Sequence, residues 1–124
     1  LQITLLKAKL HQAAVTAADL EYEGSCAIDA ELLARAGIAA YEQIHLYNIT
    51  NGERLVTYAI EAPAGSREIC ANGAAAHRMR AGDRIIIAAY AAMEAAEAER
   101  FQPRILILDE SNAVKSERGV ARAA

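Results

Sequence analysis

The larger aliphatic side chains of this chain gather in short clusters, at 3–10, 44–49, 55–60, 85–87 and 105–108, separated by polar or turn-forming stretches. None reaches the ten to twelve residues that would favour a helix, and their Ile, Leu and Val content suits strands. Composition tightens the constraint. Of 124 residues 54% are hydrophobic, but 30 are alanine, which adds little volume, so these clusters must supply most of the burial. That is enough for one lean core and too little for two. The sequence predicts a single mainly β domain over 1–110 and a loosely held polar tail over 111–124.

Residues 2–10 read as a two-faced strand, with Lys7, Lys9 and His11 on one side and Leu6, Ala8 and Leu10 on the other. Asp29 followed by 30–36 and then Gly37 is an N-capped short helix closed by a C-terminal glycine. Two β-rich runs, 43–50 and 53–60, flank Asn51-Gly52, the dipeptide of a type I′ hairpin turn. In the second run Arg54 and Tyr58 share a face about 13 Å apart, close enough for two long side chains to meet on a small ligand. Short strands at 68–71, 84–90 and 104–108, a break at Asn72-Gly73 opening into a helix start, and a charged helix over 94–100 complete the pattern. The free amides after Gly73 make a candidate carboxylate seat. Six or more short strands with small helices favour a closed barrel, because closure hides edges.

A net charge of −3 supplies no basic field, which excludes a role built on phosphate-backbone binding, so nucleic acid is not expected as a partner. No apolar run approaches the ~20 residues of a membrane span, and no secretory signal pattern is visible; a cytoplasmic location without membrane contact is expected. Cys26 and Cys70 are expected as free thiols, since one bridge is no disulfide framework. His45 and His77 have no ligand spacing around them, and no metal is expected.

The sharpest local feature is Tyr22-Glu23-Gly24-Ser25-Cys26. A Gly-Ser pair ordinarily marks only a loop. The chemical alternative is that Gly24, lacking a Cβ, permits a strained backbone in which the Ser25 hydroxyl attacks the Gly24 carbonyl and turns the peptide into an ester. Elimination would break the chain and leave dehydroalanine, which hydrolyses to a pyruvoyl ketone able to condense with an amine.

The ordered fragments Lys9-Leu10-His11, Asp19-Leu20, 22–29, Ala36-Gly37-Ile38, 48–52, 57–60 and 72–76 closely resemble the pyruvoyl-dependent aspartate 1-decarboxylase family over roughly residues 4–108. The resemblance implies a small closed six-stranded double-psi β-barrel with short helices, a homotetramer, self-cleavage between Gly24 and Ser25, and conversion of L-aspartate to β-alanine for pantothenate synthesis. It implies a covalent pyruvoyl group derived from Ser25 as cofactor, with no metal and no pyridoxal phosphate.

By the same resemblance Ser25 is the cofactor precursor and Tyr58 the proton donor. Thr57 and Asn72 assist self-processing at Gly24, and Lys9, His11, Arg54, Thr57, Gly73, Ala74 and Ala75 bind substrate. The chemistry agrees: a guanidinium forks onto a carboxylate, a phenol can return a proton to carbon, and Lys9 and His11 with Arg54 would add positive charge for a dicarboxylate. A maturation or regulatory protein is a further candidate partner. Tyr47 departs from the family pattern, where many relatives carry Trp. The reading from another class is an unprocessed or non-catalytic barrel that binds a small anion or a protein.

Overall fold

Short strands need partners on both sides, and this chain supplies them from distant segments. The computed structural model describes residues 1–119. In chain order it contains β1 (Gln2–Ala14), β2 (Ala17–Asp19), β3 (Cys26–Asp29), α1 (Ala30–Ala36), β4 (Gln43–Asn48), β5 (Arg54–Ala62), β6 (Ile69–Asn72), a 3₁₀ turn over Gly73–His77, β7 (Arg84–Glu94), the one-turn α2 (Ala95–Ala98), β8 (Arg104–Leu108) and β9 (Val114–Arg118). The nine strands lie side by side in the order β2-β6-β3-β5-β4-β7-β1-β8-β9.

Only Val15 and Thr16 separate β1 from β2, so the series from β1 through β7, β4, β5, β3 and β6 to β2 returns to the segment it left. Thr16 joins the ends: its N–H donates to the Ile69 carbonyl at 2.8 Å and its Oγ1 accepts from the Ile69 N–H at 2.9 Å. The mainly β expectation is borne out, and this circuit of six staves is the arrangement that the expected barrel needs; β8 and β9 extend it beyond β1. Leu10, Ile28, Ile44, Leu46, Ile69 and Ile87 are fully buried, each worth ~1.5–3 kcal/mol of transfer free energy.

Lys9 and His11 share the outer face of β1 as expected, while Ala8 and Leu10 turn inward with no exposure. The strand runs on to Ala14, after register shifts between Leu6 and Ala8 and between Leu10 and Ala13, because Ala13 and Ala14 pair with Ile85 and Arg84. The hairpin between β4 and β5 is present, but its turn differs from the expected type I′. Positive φ is found at Gly52 (81°) and not at Asn51, and Asn48 N–H pairs with the Glu53 carbonyl, which makes a four-residue loop over 49–52. The buried Asn48 side chain explains it by accepting the N–H groups of Thr50 (2.9 Å) and Asn51 (3.3 Å). The charged helix predicted over 94–100 contracts to α2, because β7 continues to Glu94 opposite Gln2.

Residues 111–119 of the predicted loose tail take regular structure. Asn112 is buried, its Oδ1 accepting from Ala14 N–H at 2.7 Å and its Nδ2 donating to the carbonyls of Ala14 and Arg67, each at 2.9 Å. Past this clasp β9 pairs with β8, and Glu117 meets Arg35 at 3.0 Å. An edge strand can be polar on its open side, so composition concealed it. Residues 120–124 of that tail lie outside the described residues.

At the end of β3, buried Asp29 caps α1 through the Glu31 N–H (2.8 Å) and also accepts from Gly65 N–H (2.9 Å) and Arg67 N–H (2.7 Å). Burial pushes its carboxyl up, but the backbone N–H groups of Arg67, Gly65, Glu31 and Leu32 outweigh that and hold its pKa below the ordinary value. A depressed folded-state pKa contributes stability that is complete above the unfolded value of ~3.9 and is lost as pH falls from there through the folded-state value. Denaturant unfolding at stepped pH should therefore show a falling acid limb below about pH 5. Asp29→Asn should flatten part of that limb; an unaltered limb would rule the carboxylate out as its source.

Candidate active site

Strand pairing decides where Ser25 goes. Cys26, the first residue of β3, lies opposite Ala59 on parallel β5 and opposite Ala71 on antiparallel β6. One residue back, Ser25 is thereby set beside Tyr58 of β5 and opposite Asn72 of β6. It is 1% exposed, its carbonyl accepts the Asn72 N–H at 3.0 Å, and its φ is +89°. A side chain in that region costs about 1–3 kcal/mol and persists only where the surroundings impose it.

Asn72, itself buried, donates from Nδ2 to Ser25 Oγ at 3.5 Å and accepts at Oδ1 from the Cys70 thiol at 3.2 Å. The thiol bond fixes which end of the amide faces the serine. Cys70 is thus a residue that reading the sequence missed, and no local signal marks it. Burial raises its pKa first, with the Glu68 and Asp19 carboxylates adding to the effect, so it stays a donor at neutral pH. Cys26 is fully buried and pushed up to about 12, by burial first and Cys70 second; both thiols are free.

Gly73 turns tightly against the segment before Ser25. At φ +57°, a Cβ built on it would stand 2.8 Å from Gly24 N, 2.9 Å from Gly24 Cα and 2.9 Å from the Tyr22 carbonyl oxygen, all of them backbone. Gly24 faces the other way, and a Cβ there would stand 3.9 Å from the Tyr58 hydroxyl.

Ser25 forms part of the wall between two clefts. The smaller, of about 360 Å³, is lined by Gly24, Ser25, Arg54, Thr57, Ala74 and Ala75 among others. Its further cation, Arg78, was not singled out in the sequence; it donates to the Arg54 carbonyl at 2.8 Å and pairs with Glu53 at 3.3 Å. The larger, of about 690 Å³, takes in Ser25 with Tyr58, Tyr22, Glu21, Glu23 and Glu61. The structure therefore puts Gly24, Ser25, Arg54, Thr57, Ala74 and Ala75 on one cleft and Ser25 with Tyr58 on the other, while Asn72 and Gly73 lie directly against Ser25 and Gly24.

Lys9 and His11 do not line either cleft. Burial, then the positive neighbours Lys9, Arg118 and Arg84, lowers the pKa of His11 from the ordinary imidazole value, which favours the neutral ring. Its Nδ1 is buried without a partner among the described residues.

This geometry can be set beside known proteins. A family model described as aspartate decarboxylase matches residues 1–115. A protein of Halorhodospira halophila named aspartate 1-decarboxylase is 58% identical over 119 residues, covering 96% of this chain and 94% of that one. A protein of Thioalkalivibrio sulfidiphilus with the same name is 61% identical over 112 residues, covering 90% and 89%. One from Saccharophagus degradans, likewise so named, is 58% identical over 115 residues, covering 93% and 91%. The chain belongs to the aspartate decarboxylase family.

The resemblance carried by the ordered fragments is thus borne out. Among the described residues of this family member, no group of three or more His, Cys, Asp or Glu is placed to hold a metal ion, and no helix is long and apolar enough to cross a membrane.

The Gly73 contact can be tested against a glycine that lacks it. Gly82 also has positive φ (94°) but nothing within 4 Å of its would-be Cβ. Gly82→Ala should cost only the backbone term, about 1–2 kcal/mol. Gly73→Ala should cost more by about 1–3 kcal/mol because backbone must move. Equal losses in denaturant unfolding would show that the approach of Gly73 to Gly24 is not tight.

Proposed function

We propose that this chain is a self-processing lyase that removes the α-carboxyl of L-aspartate, giving β-alanine and CO2 for pantothenate synthesis. The observation that carries the self-processing reading is Ser25 itself: a buried serine at φ +89°, with an amide donor on its hydroxyl and a glycine carbonyl before it. Attack of Oγ on the Gly24 carbonyl moves the acyl group from nitrogen to oxygen and relieves that backbone strain. The Asn72 amide on the Ser25 hydroxyl, and Thr57 on the cleft shared with Gly24 and Ser25, support a role for both as donors to the oxygen that gathers charge. Elimination then releases the Gly24 carboxylate, and hydrolysis of the resulting dehydroalanine, with loss of ammonia, leaves a pyruvoyl group at residue 25.

The residues present fit that group, since Ser25 opens onto both clefts and Tyr58 stands beside it. A pyruvoyl ketone supplies an electron sink for the pair left when a Cα–carboxylate bond breaks. The chain's own groups do the rest. The Arg54 fork binds a substrate carboxylate. Main-chain amides over Gly73, Ala74 and Ala75, with the Thr57 hydroxyl, orient it. The Tyr58 phenol, 40% exposed and beside residue 24, returns the proton to Cα.

Intact mass separates this reading from a non-catalytic barrel. Purified protein should give two species, residues 1–24 and 25–124, the larger with a blocked N-terminus, and should form β-alanine from L-aspartate. Ser25→Ala should stay whole and inactive. A wild-type chain that stays whole and inactive on prolonged warm incubation with candidate maturation factors, or cleavage in Ser25→Ala, would falsify the assignment.

Lys9 and His11 lie outside the Ser25 clefts of their own chain, which supports a site completed by a second copy within a homotetramer. Val56 (55% exposed) and Ile49 (45% exposed) leave apolar surface around Arg54 for such a contact. A cytoplasmic setting suits the two free thiols. Gel filtration with activity across the peak should show turnover only in an assembled form; an active monomer would refute this.

A further inference from the structure

Arg54 has no carboxylate at ion-pair distance among the described residues, yet a guanidinium that recognises a carboxylate must be held in place. What holds it is a ring. Arg54 Cζ lies 4.5 Å from the centroid of Tyr47, its direct cross-strand partner on β4. Tyr47 is anchored in turn, its hydroxyl 2.8 Å from that of Tyr90 on β7, the strand on the far side of β4. The Tyr90 ring meets His45 edge-on, with centroids 4.9 Å apart and planes at 73°. The contacts therefore run His45–Tyr90–Tyr47–Arg54 across three strands and end at the cleft that holds Ser25.

We propose that Tyr47 and Tyr90 are positioning residues for carboxylate recognition: the Tyr90 hydroxyl holds the Tyr47 ring against Arg54, and the ring holds the guanidinium plane at the cleft. This rests on the reading of that cleft as the substrate site. A cation held over a ring face keeps its N–H edge free to fork onto an anion, so the stacking partner does not compete with the substrate. An unanchored arginine on an exposed strand would lose rotamer freedom with each substrate bound; an anchored one has lost it beforehand. The hydrogen bond with Tyr47, followed by burial, keeps the Tyr90 phenol above its usual pKa.

Steady-state kinetics on fully processed Tyr90→Phe, Tyr47→Phe and Tyr47→Leu test this. Both Phe variants should raise KM for L-aspartate about two- to fivefold, and should raise the inhibition constant of succinate, a dicarboxylate without the amine, by the same factor. Their kcat should stay within about twofold, because bond breaking is served by other groups. Tyr47→Leu should raise both constants further. Tyr47→Trp in the Tyr90→Phe background, a larger ring that grips the cation without the hydroxyl, should restore KM. Unchanged KM and succinate inhibition alongside a lowered thermal midpoint would make the pair merely structural and overturn the proposal, as would a loss confined to kcat. A wild type that cleaves itself yet leaves aspartate untouched would sink the substrate reading first, and this inference with it.

Discussion

The pinning of β3 between two neighbours governs the rest of the site. Cys26 faces Ala59 of a parallel strand and Ala71 of an antiparallel one, and Asp29 gathers three N–H groups at the other end of the same four residues. A segment held at both ends and on both sides cannot slide, so the residue before it must take whatever backbone angle joins it to the 20–24 loop. That residue is Ser25, and the angle is one that serine ordinarily avoids. The strain is thus set by ordinary sheet hydrogen bonding and capping, and the Asn72 amide, oriented by the Cys70 thiol, meets the serine from the opposite strand.

The two clefts beside Ser25 differ in character. One presents the guanidinium groups of Arg54 and Arg78, the other three carboxylates with the Tyr22, Tyr41 and Tyr58 phenols. Anions are drawn to the first side and repelled from the second. Arg54 belongs to this arrangement both as a charge and as a group held by its Tyr47 neighbour.

Legibility in the sequence followed the range of the forces involved. Local features were readable: Asp29 and Gly37 bracket α1 as predicted, since a cap and an αL glycine act within one turn, and the 104–108 run is β8 to the residue. The Asn51-Gly52 signal marked the right hairpin and the wrong turn, because an asparagine three residues earlier captured the loop N–H groups. The strand β9 was invisible, its clasp joining Asn112 to Ala14 across 98 residues and its own composition being polar. At the site, Gly24-Ser25 and the shared face of Arg54 and Tyr58 could be read from the chain. The positive φ of Ser25, the Cys70 bond to Asn72, the approach of Gly73 to Gly24 and the entry of Arg78 could not, for each depends on which strands lie side by side. The spatial separation of Lys9 and His11 from Ser25 has the same origin: a shared strand face says nothing about which cavity it borders.

The place of β1 in the sheet bears on what a nick at residue 24 would leave behind. That strand is flanked by β7 along nearly its whole length and by β8 on its other side, and its Ala8, Leu10 and Ala13 lie in the core. The amino-terminal peptide is therefore woven into the interior rather than draped over it, and scission would turn one polymer into an interlocked heterodimer whose halves have no reason to part. Thermal melting would then become bimolecular, and regaining the native state after full denaturation would require two separate molecules to find one another.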